Sequence, residues 1–409
     1  MKIFAIFYVT FCTVRSFPCL LLIILLLLPV NCSFAASERS VGATEEANHL
    51  TLNSESAILV DSRSGDVLYE KNADRAMAPA SITKIVTGII ALEYGRLNDN
   101  VVVSRNAREA EGTRIFLAEG EQKRLEDLVY GLLLNSGNDA AVAIAEHIDG
   151  SVAAFSQRMN EFAASVGAHH THFTNPSGLY EEDHITTASD MAKITAHAMK
   201  NEKFRQIVRT RVKPWEGKEW KSKLINHNKM LVSYQGANGV KNGYTTQSGF
   251  TLVASAEREG TEFIAVLMKA DDDRQIYKDA IKLLDYGFKN YKTVPVLQAG
   301  AKISEGGERY RIRQNVYASI PKEDHFRVHV NGADGLIVET DSGVVREYPS
   351  VLMREQHLQI ADPDRKMEKI SSSGDKYQSL PEFLMLCFWR LMIFFMCWMV
   401  ILLIKKKQV

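Results

Sequence analysis

The chain has 409 residues, and its 49 basic and 49 acidic side chains leave a formal net charge of +0. That balance argues against nucleic acid as a partner, which normally calls for a basic excess, and the length suits about two to three domains of roughly 150 residues each. All 5 cysteines (Cys12, Cys19, Cys32, Cys387 and Cys397) fall in two apolar ends, so the body between them is neither a disulfide scaffold nor a thiol enzyme.

The N-terminal stretch carries Lys2 and Arg15, an apolar run from Cys19 to Val30, and small residues at Ser33, Ala35 and Ala36. This order predicts a secretory signal over residues 1–35, cleaved near Ala35. From about Glu38 the pattern becomes globular. "SAILVDSRSGDVLYEK" predicts two short strands, Ala57–Asp61 and Asp66–Glu70, around a Ser-Arg-Ser-Gly turn. "PASITKIVTGIIALEYG" predicts a helix beginning at Ala80 or Ser81, with Ile82, Ile85, Val86, Ile89 and Ile90 on one buried stripe and Gly95 as its stop. A second apolar helix, "LEDLVYGLLLNSGNDAAVAIAEHI", is interrupted at Asn135–Asn138. Further helices follow in "AAFSQRMNEFAASVG" and "TTASDMAKITAHAMKN". Then "GFTLVASAEREGTEFIAVLMKA" reads as two strands about a Glu-Gly turn, and "QIYKDAIKLLDYGFKNY" as a helix.

Strands, then helices, then strands again predict an α+β fold, an antiparallel sheet covered by helices, over residues 38–293. Beyond Pro295 the helical period vanishes. Short alternating strands split by Gly and Asn/Asp turns predict a small all-β domain over 294–360, followed by a polar linker over 361–382. The run Phe383–Ile404 is long enough, at about 1.5 Å per residue, to cross a roughly 30 Å hydrocarbon core. Lys405, Lys406 and Lys407 close it as a cytoplasmic tail would, and Arg390 must snorkel to the outer interface. The expectation is a transmembrane anchor in the cell membrane, with the exported body on its outer face.

Three short stretches could carry chemistry. In "ASITK", Pro79 disfavours helix at Ala78, so Ser81 falls in the first turn, where free N–H groups gather. Lys84 is one turn on, at i+3, and can act as a base if its amine is neutral. In "NSGND", a Ser-Gly-Asn insertion into an apolar helix costs about 1 kcal/mol for the glycine alone; it either links two helices or presents Ser136 and Asn138 to a cleft. In "GVKNGYTT", Gly239 and Gly243 permit close approach of another backbone and Lys241 offers a charge suited to a carboxylate. Each stretch is weak evidence by itself.

In this order they match a known set: Ser81-x-x-Lys84, Ser136-x-Asn138 and Lys241-x-Gly243 are the signature of penicillin-recognising serine enzymes. The chain closely resembles the low-molecular-mass penicillin-binding proteins, the serine-type D-alanyl-D-alanine carboxypeptidases. "AILVDSRSGDVLYEKNADRAMAPASITKIVTG", "TNPSGLYEEDHITTASDMA" and "SGFTLVASAE" extend the likeness. The resemblance implies a β-lactamase/transpeptidase-like domain and removal of the terminal D-Ala from peptidoglycan stem peptides in the cell wall, with β-lactams as covalent inhibitors. It implies Ser81 as nucleophile, Lys84 as its base and Ser136 as proton relay. It further implies Asn138, Lys241, Asn242, Gly243, Tyr244 and Thr245 as substrate-binding residues, with the N–H groups of Ser81 and Tyr244 as an oxyanion hole. No metal or organic cofactor is called for. One residue departs from the pattern: Asn242 stands where the family usually has threonine, which predicts an altered rate or substrate preference rather than inactivity.

Other stretches are plainer. His169, His170 and His172 have spacings that suit neither a helix face nor a zinc framework, and "ADDDR" lacks the glycine and distal glutamate of a calcium loop. "TNPSGL" reads as a structural turn near the cleft. Three rivals share these motifs: an endopeptidase, a β-lactamase, and a wall-binding protein impaired in its third motif. No Glu-x-x-Leu-Asn segment supports the lactamase.

Overall fold

Five antiparallel strands organise the molecule, in the spatial order Val67–Lys71, Ser56–Asp61, Thr261–Ala270, Gly249–Arg258 and Ala237–Thr245. The computed structural model describes residues 50–355. The expected signal peptide, the last residues of the expected β domain (356–360), the linker and the membrane anchor lie outside the described residues. Among the described residues, no helix is long and apolar enough to cross a membrane.

The sheet is buried on both faces, which is why its strands read as near-continuous apolar runs. Along Ser56–Asp61, Ile58 and Val60 join one core while Ala57 and Leu59 join the other. Along Thr261–Ala270, Ile264, Val266 and Met268 alternate in the same way with Phe263, Ala265 and Leu267. That is the period of two that a pleated strand imposes. On the first face lies a layer of helices built around Lys84–Tyr94, whose residues from Lys84 to Ala91 are all buried. Helices Leu125–Leu134, Asn138–Asp149, Val152–Ser165 and Ala188–Ala198 pack around it. On the second face lies the helix Asp273–Asn290, capped by Asp272, whose carboxylate accepts from Arg274 N and Gln275 N.

The expected elements appear with small shifts, as at Ser56–Asp61 and Val67–Lys71. The hairpin Val212–Glu216 and Lys221–Ile225 has little apolar signature in the sequence, because only Trp215 and Leu224 within its strands are buried. Between Tyr291 and Arg354 the chain forms three small antiparallel sheets around a core of its own, which includes Tyr310, Ile312, Ala318, Leu336 and Val338. Polar contacts tie this part to the first strands. Tyr348 Oη donates to Asp66 Oδ2 at 2.9 Å, Ser319 N donates to the same oxygen at 2.7 Å, and Thr293 Oγ1 donates to Asp61 Oδ2 at 2.5 Å.

Candidate active site

The first motif sits on a sharp bend. Ala80–Thr83 forms a 3₁₀ turn, tighter than the α-helix expected there, and the α-helix proper begins at Lys84. Ala80 has φ 52°, in the left-handed region that side chains disfavour. Neighbouring backbone holds the bend. Thr251 Oγ1 donates to Pro79 O at 2.9 Å. A Cβ on Gly178 would lie 1.9 Å from Ala80 O, and one on Gly243 would lie 2.6 Å from Ser81 N. Both positions therefore require glycine if the turn is to seat Ser81 where it is.

Lys84 Nζ lies 2.9 Å from Ser81 Oγ and donates to Ser177 O at 2.5 Å. The lysine is 0% exposed. Burial holds its amine well below the usual lysine range, the nearby Lys241 pushes the same way, and Asp139 opposes them. A buried amine so shifted has a lone pair to offer the serine hydroxyl. Burial is complete and comes first, ahead of the second cation.

The "NSGND" interruption divides the helices Leu125–Leu134 and Asn138–Asp149. Ser136 is buried with φ 62°, a strained conformation for a residue with a side chain. Asn138 N donates to Thr113 O at 2.7 Å, and its Nδ2 donates to Glu111 O at 2.5 Å. Its Oδ1 is buried and has no hydrogen-bond partner among the described residues. Asp139, 0% exposed, accepts from Ile115 N at 3.0 Å and Leu117 N at 3.1 Å. The pair Asn138–Asp139 thus fixes the backbone of residues 111–117 as one wall.

The third motif lies on the strand Ala237–Thr245, which among the described residues pairs only with Gly249–Arg258 and forms the edge of the sheet. Lys241 is 1% exposed; its Nζ donates to Asn242 O at 2.8 Å, and burial lowers its amine to about 7. Lys241 stands opposite Val253, which belongs to the helical-layer core, whereas Asn242 stands opposite Leu252, which belongs to the other core. Alternation therefore puts Asn242 and Tyr244 on the opposite face of the strand from Lys241 and Gly243. Tyr244 is 56% exposed and stacks on Phe250 at 4.5 Å. Thr245 Oγ1 donates to Ser248 Oγ at 2.7 Å and accepts from Ser248 N, so its hydroxyl serves its own turn.

Ser81, Lys84, Lys241 and Gly243 are thus drawn together; Asn138 holds the adjoining wall, and Ser136 lies buried two residues before it. Several contributors were not visible in the sequence. The turn "TNPSGL" contributes the Ser177 carbonyl that holds Lys84, and main-chain oxygens have no residue-type signal. His184 bridges Thr83 Oγ1 at 2.9 Å and Thr174 Oγ1 at 3.0 Å, with burial taking its ring down to about 4, so it stays neutral. Among the described residues, His, Cys, Asp and Glu side chains gather in no group of three that could hold a metal ion. His172 instead lines a surface groove along the helix Val152–Ser165, which contains none of the motif residues.

Comparison with known proteins points the same way. A family model described as D-alanyl-D-alanine carboxypeptidase matches residues 42–272. The D-alanyl-D-alanine carboxypeptidase DacF of Bacillus subtilis is 35% identical over 289 residues, 68% of this chain and 74% of that protein. The DacA enzyme of Haemophilus influenzae is 32% identical over 72% of this chain and 75% of its own length. Among solved structures, penicillin-binding protein 5 of Haemophilus influenzae superposes with a TM-score of 0.67 at 28% identity, covering 75% of this chain and 97% of the other.

Proposed function

The chain belongs to the D-alanyl-D-alanine carboxypeptidase family of serine-type hydrolases, and from that premise we propose that Ser81 is the nucleophile and Lys84 its base. One observation carries the proposal: an amine that is fully buried and shifted toward neutral lies 2.9 Å from a serine hydroxyl. An ordinary lysine near pKa 10.4 could not remove that proton well at neutral pH. Ser81 Oγ attacks the carbonyl between the two terminal D-alanines of a peptidoglycan stem peptide, and Lys84 Nζ takes its proton. The oxyanion is received by the N–H groups of Ser81 and Tyr244. Ser136 relays a proton to the departing D-alanine, and water then opens the acyl-enzyme. A β-lactam acylates the same oxygen.

Substrate binding follows from the same surfaces. The outer edge of Ala237–Thr245 accepts the peptide as an added strand, while Gly243 gives its side-chain space to the Ser81 turn. The unpartnered Asn138 Oδ1 is an acceptor for a substrate amide N–H. Lys241 is the cation for the terminal carboxylate; with its amine at about 7, an arriving anion favours the charged form. Asn242 reaches that carboxylate only around the strand edge. The division into a signal (1–35), an exported catalytic body (38–293), a small β domain (294–360), a linker (361–382) and a membrane anchor (383–404) belongs to the same proposal.

The test uses a fluorescent penicillin and a peptide ending in D-Ala-D-Ala. The wild type is expected to label and to release D-alanine, and Ser81→Ala to do neither. Equal labelling of the two proteins would sink the acyl-enzyme reading.

A further inference from the structure

We propose that Arg114, Phe116 and Trp220 form a rim subsite for the substrate residue that precedes the two D-alanines, and that this subsite takes a side chain ending in a free carboxylate. The proposal rests on the acyl-transfer reading above and names the substrate class that reading leaves open.

The subsite grows from the wall beside Asn138. Thr113 O accepts from Asn138 N, while Ile115 N and Leu117 N are tethered to Asp139. Ile115 and Leu117 are buried, so the residues between and before them, Phe116 and Arg114, face outward. Phe116 is 47% exposed and has φ 56°, a left-handed conformation that a bulky residue adopts only against steric cost. Fixed neighbours thus turn a large aromatic ring out of the core and into the open beside the cleft wall.

A second, distant segment completes the surface. Trp220, at the tip of the hairpin Val212–Ile225, meets Phe116 edge to face with ring centroids 6.1 Å apart. The tip is held there by Arg108 Nη2 donating to Glu219 Oε1 at 2.9 Å and by Lys218 N donating to Glu121 Oε1 at 3.0 Å. Two aromatic rings from separate elements therefore present apolar surface at one spot.

Arg114 supplies the charge. Its guanidinium lies 5.4 Å over the Phe116 ring, and Nη1 donates to Arg108 O at 3.2 Å. Arg108 has Glu219 as its acidic partner, but among the described residues Arg114 has none. A guanidinium with five donors, oriented by a ring and a carbonyl, keeps its remaining N–H groups for a bidentate acid. An aliphatic stem would lie on Phe116 and Trp220 while its terminal carboxylate meets Arg114. Lysine in the same place would bring an ammonium toward a guanidinium.

The experiment measures D-alanine release by the full chain from three peptides that differ only in the residue before D-Ala-D-Ala. One carries a diamino acid whose side chain ends in a free carboxylate, one carries the same residue amidated, and one carries lysine. The wild type is expected to favour the acid in kcat/KM by about tenfold, the scale of one hydrogen-bonded charge contact. Arg114→Gln is expected to bring the three values together, and Arg114→Lys to restore part of the preference. A wild type that does not discriminate, or an Arg114→Gln loss shared equally by all three peptides, overturns the subsite. Penicillin labelling of the same samples keeps the two readings apart. A wild type that labels and cleaves without preference defeats the subsite alone, whereas one that neither labels nor cleaves defeats the acyl-transfer reading and the subsite with it.

Discussion

The floor of the cleft and its rim treat positive charge in opposite ways. On the floor, Lys84 and Lys241 are 0% and 1% exposed, and loss of water drives both amines toward the neutral form. At the rim, Arg114 and Arg108 are both half-buried, and Glu219 holds the Arg108 guanidinium charged. The dry floor can thus supply a neutral amine, whereas the wetter rim keeps a permanent cation. The residue types suit the division, because lysine shifts readily on burial and arginine does not.

Mutations that break the floor should have the largest effects. Lys84→Arg keeps the cation but cannot deprotonate, so the acylation rate measured with a chromogenic β-lactam should fall roughly 10²–10⁴-fold, the scale of a lost general base. A wild-type rate would remove Lys84 from the proton transfer. Gly243→Ala places a Cβ 2.6 Å from Ser81 N and 2.7 Å from Thr251 Oγ1. We expect kcat to drop by about 10²-fold through misplacement of the serine turn, with the fold intact by circular dichroism.

Dryness also predicts pH dependence. Lys241 titrates at about 7 in the folded chain against 10.5 as its ordinary value. The unfolded chain then binds more protons between those values, so stability should rise with pH from about 7 to 10.5. Melting temperatures of Lys241→Met should rise less across that window than those of the wild type; parallel curves would show that Lys241 is not dry. His184 works in the acid range by the same sign. Its folded value of about 4 lies below 6.5, so its contribution is lost as pH falls through that interval, and His184→Gln should flatten the slope.

The smallest effect concerns Asn242, which lies on the opposite strand face from Lys241. Asn242→Thr should raise peptide turnover by up to about tenfold if a hydroxyl reaches the carboxylate better than the amide does. An unchanged or slower rate would remove residue 242 from carboxylate binding.

Much of this was legible before the fold was known. Apolar runs of the right length marked the long helices and the central strands, because both faces of the sheet and nearly every side of the helix Lys84–Tyr94 are buried. The three polar motifs were conspicuous because Ser, Asn and Lys interrupt such runs. The hairpin 212–225 has little signature in the sequence because its strands bury so few apolar side chains. Ser177 escaped because its carbonyl, common to every residue, makes the contact. Thr245 looked available for substrate, but its hydroxyl closes a turn with Ser248.

The sequence by itself determined which groups can do chemistry here: one hydroxyl one helical turn from an amine, a second hydroxyl and amide breaking a helix, and a lysine between glycines. Local spacing suffices for that, because i+3 proximity and strand alternation are backbone properties. Only the tertiary structure decided what state those groups are in. Desolvation depends on every atom packed around a side chain, and contacts such as those from Gly178 and Gly243 to the Ser81 turn join residues that are far apart in the chain. The shift of Lys84, the unfilled acceptor of Asn138 and the meeting of Phe116 with Trp220 all arise at that level, where no local pattern reaches.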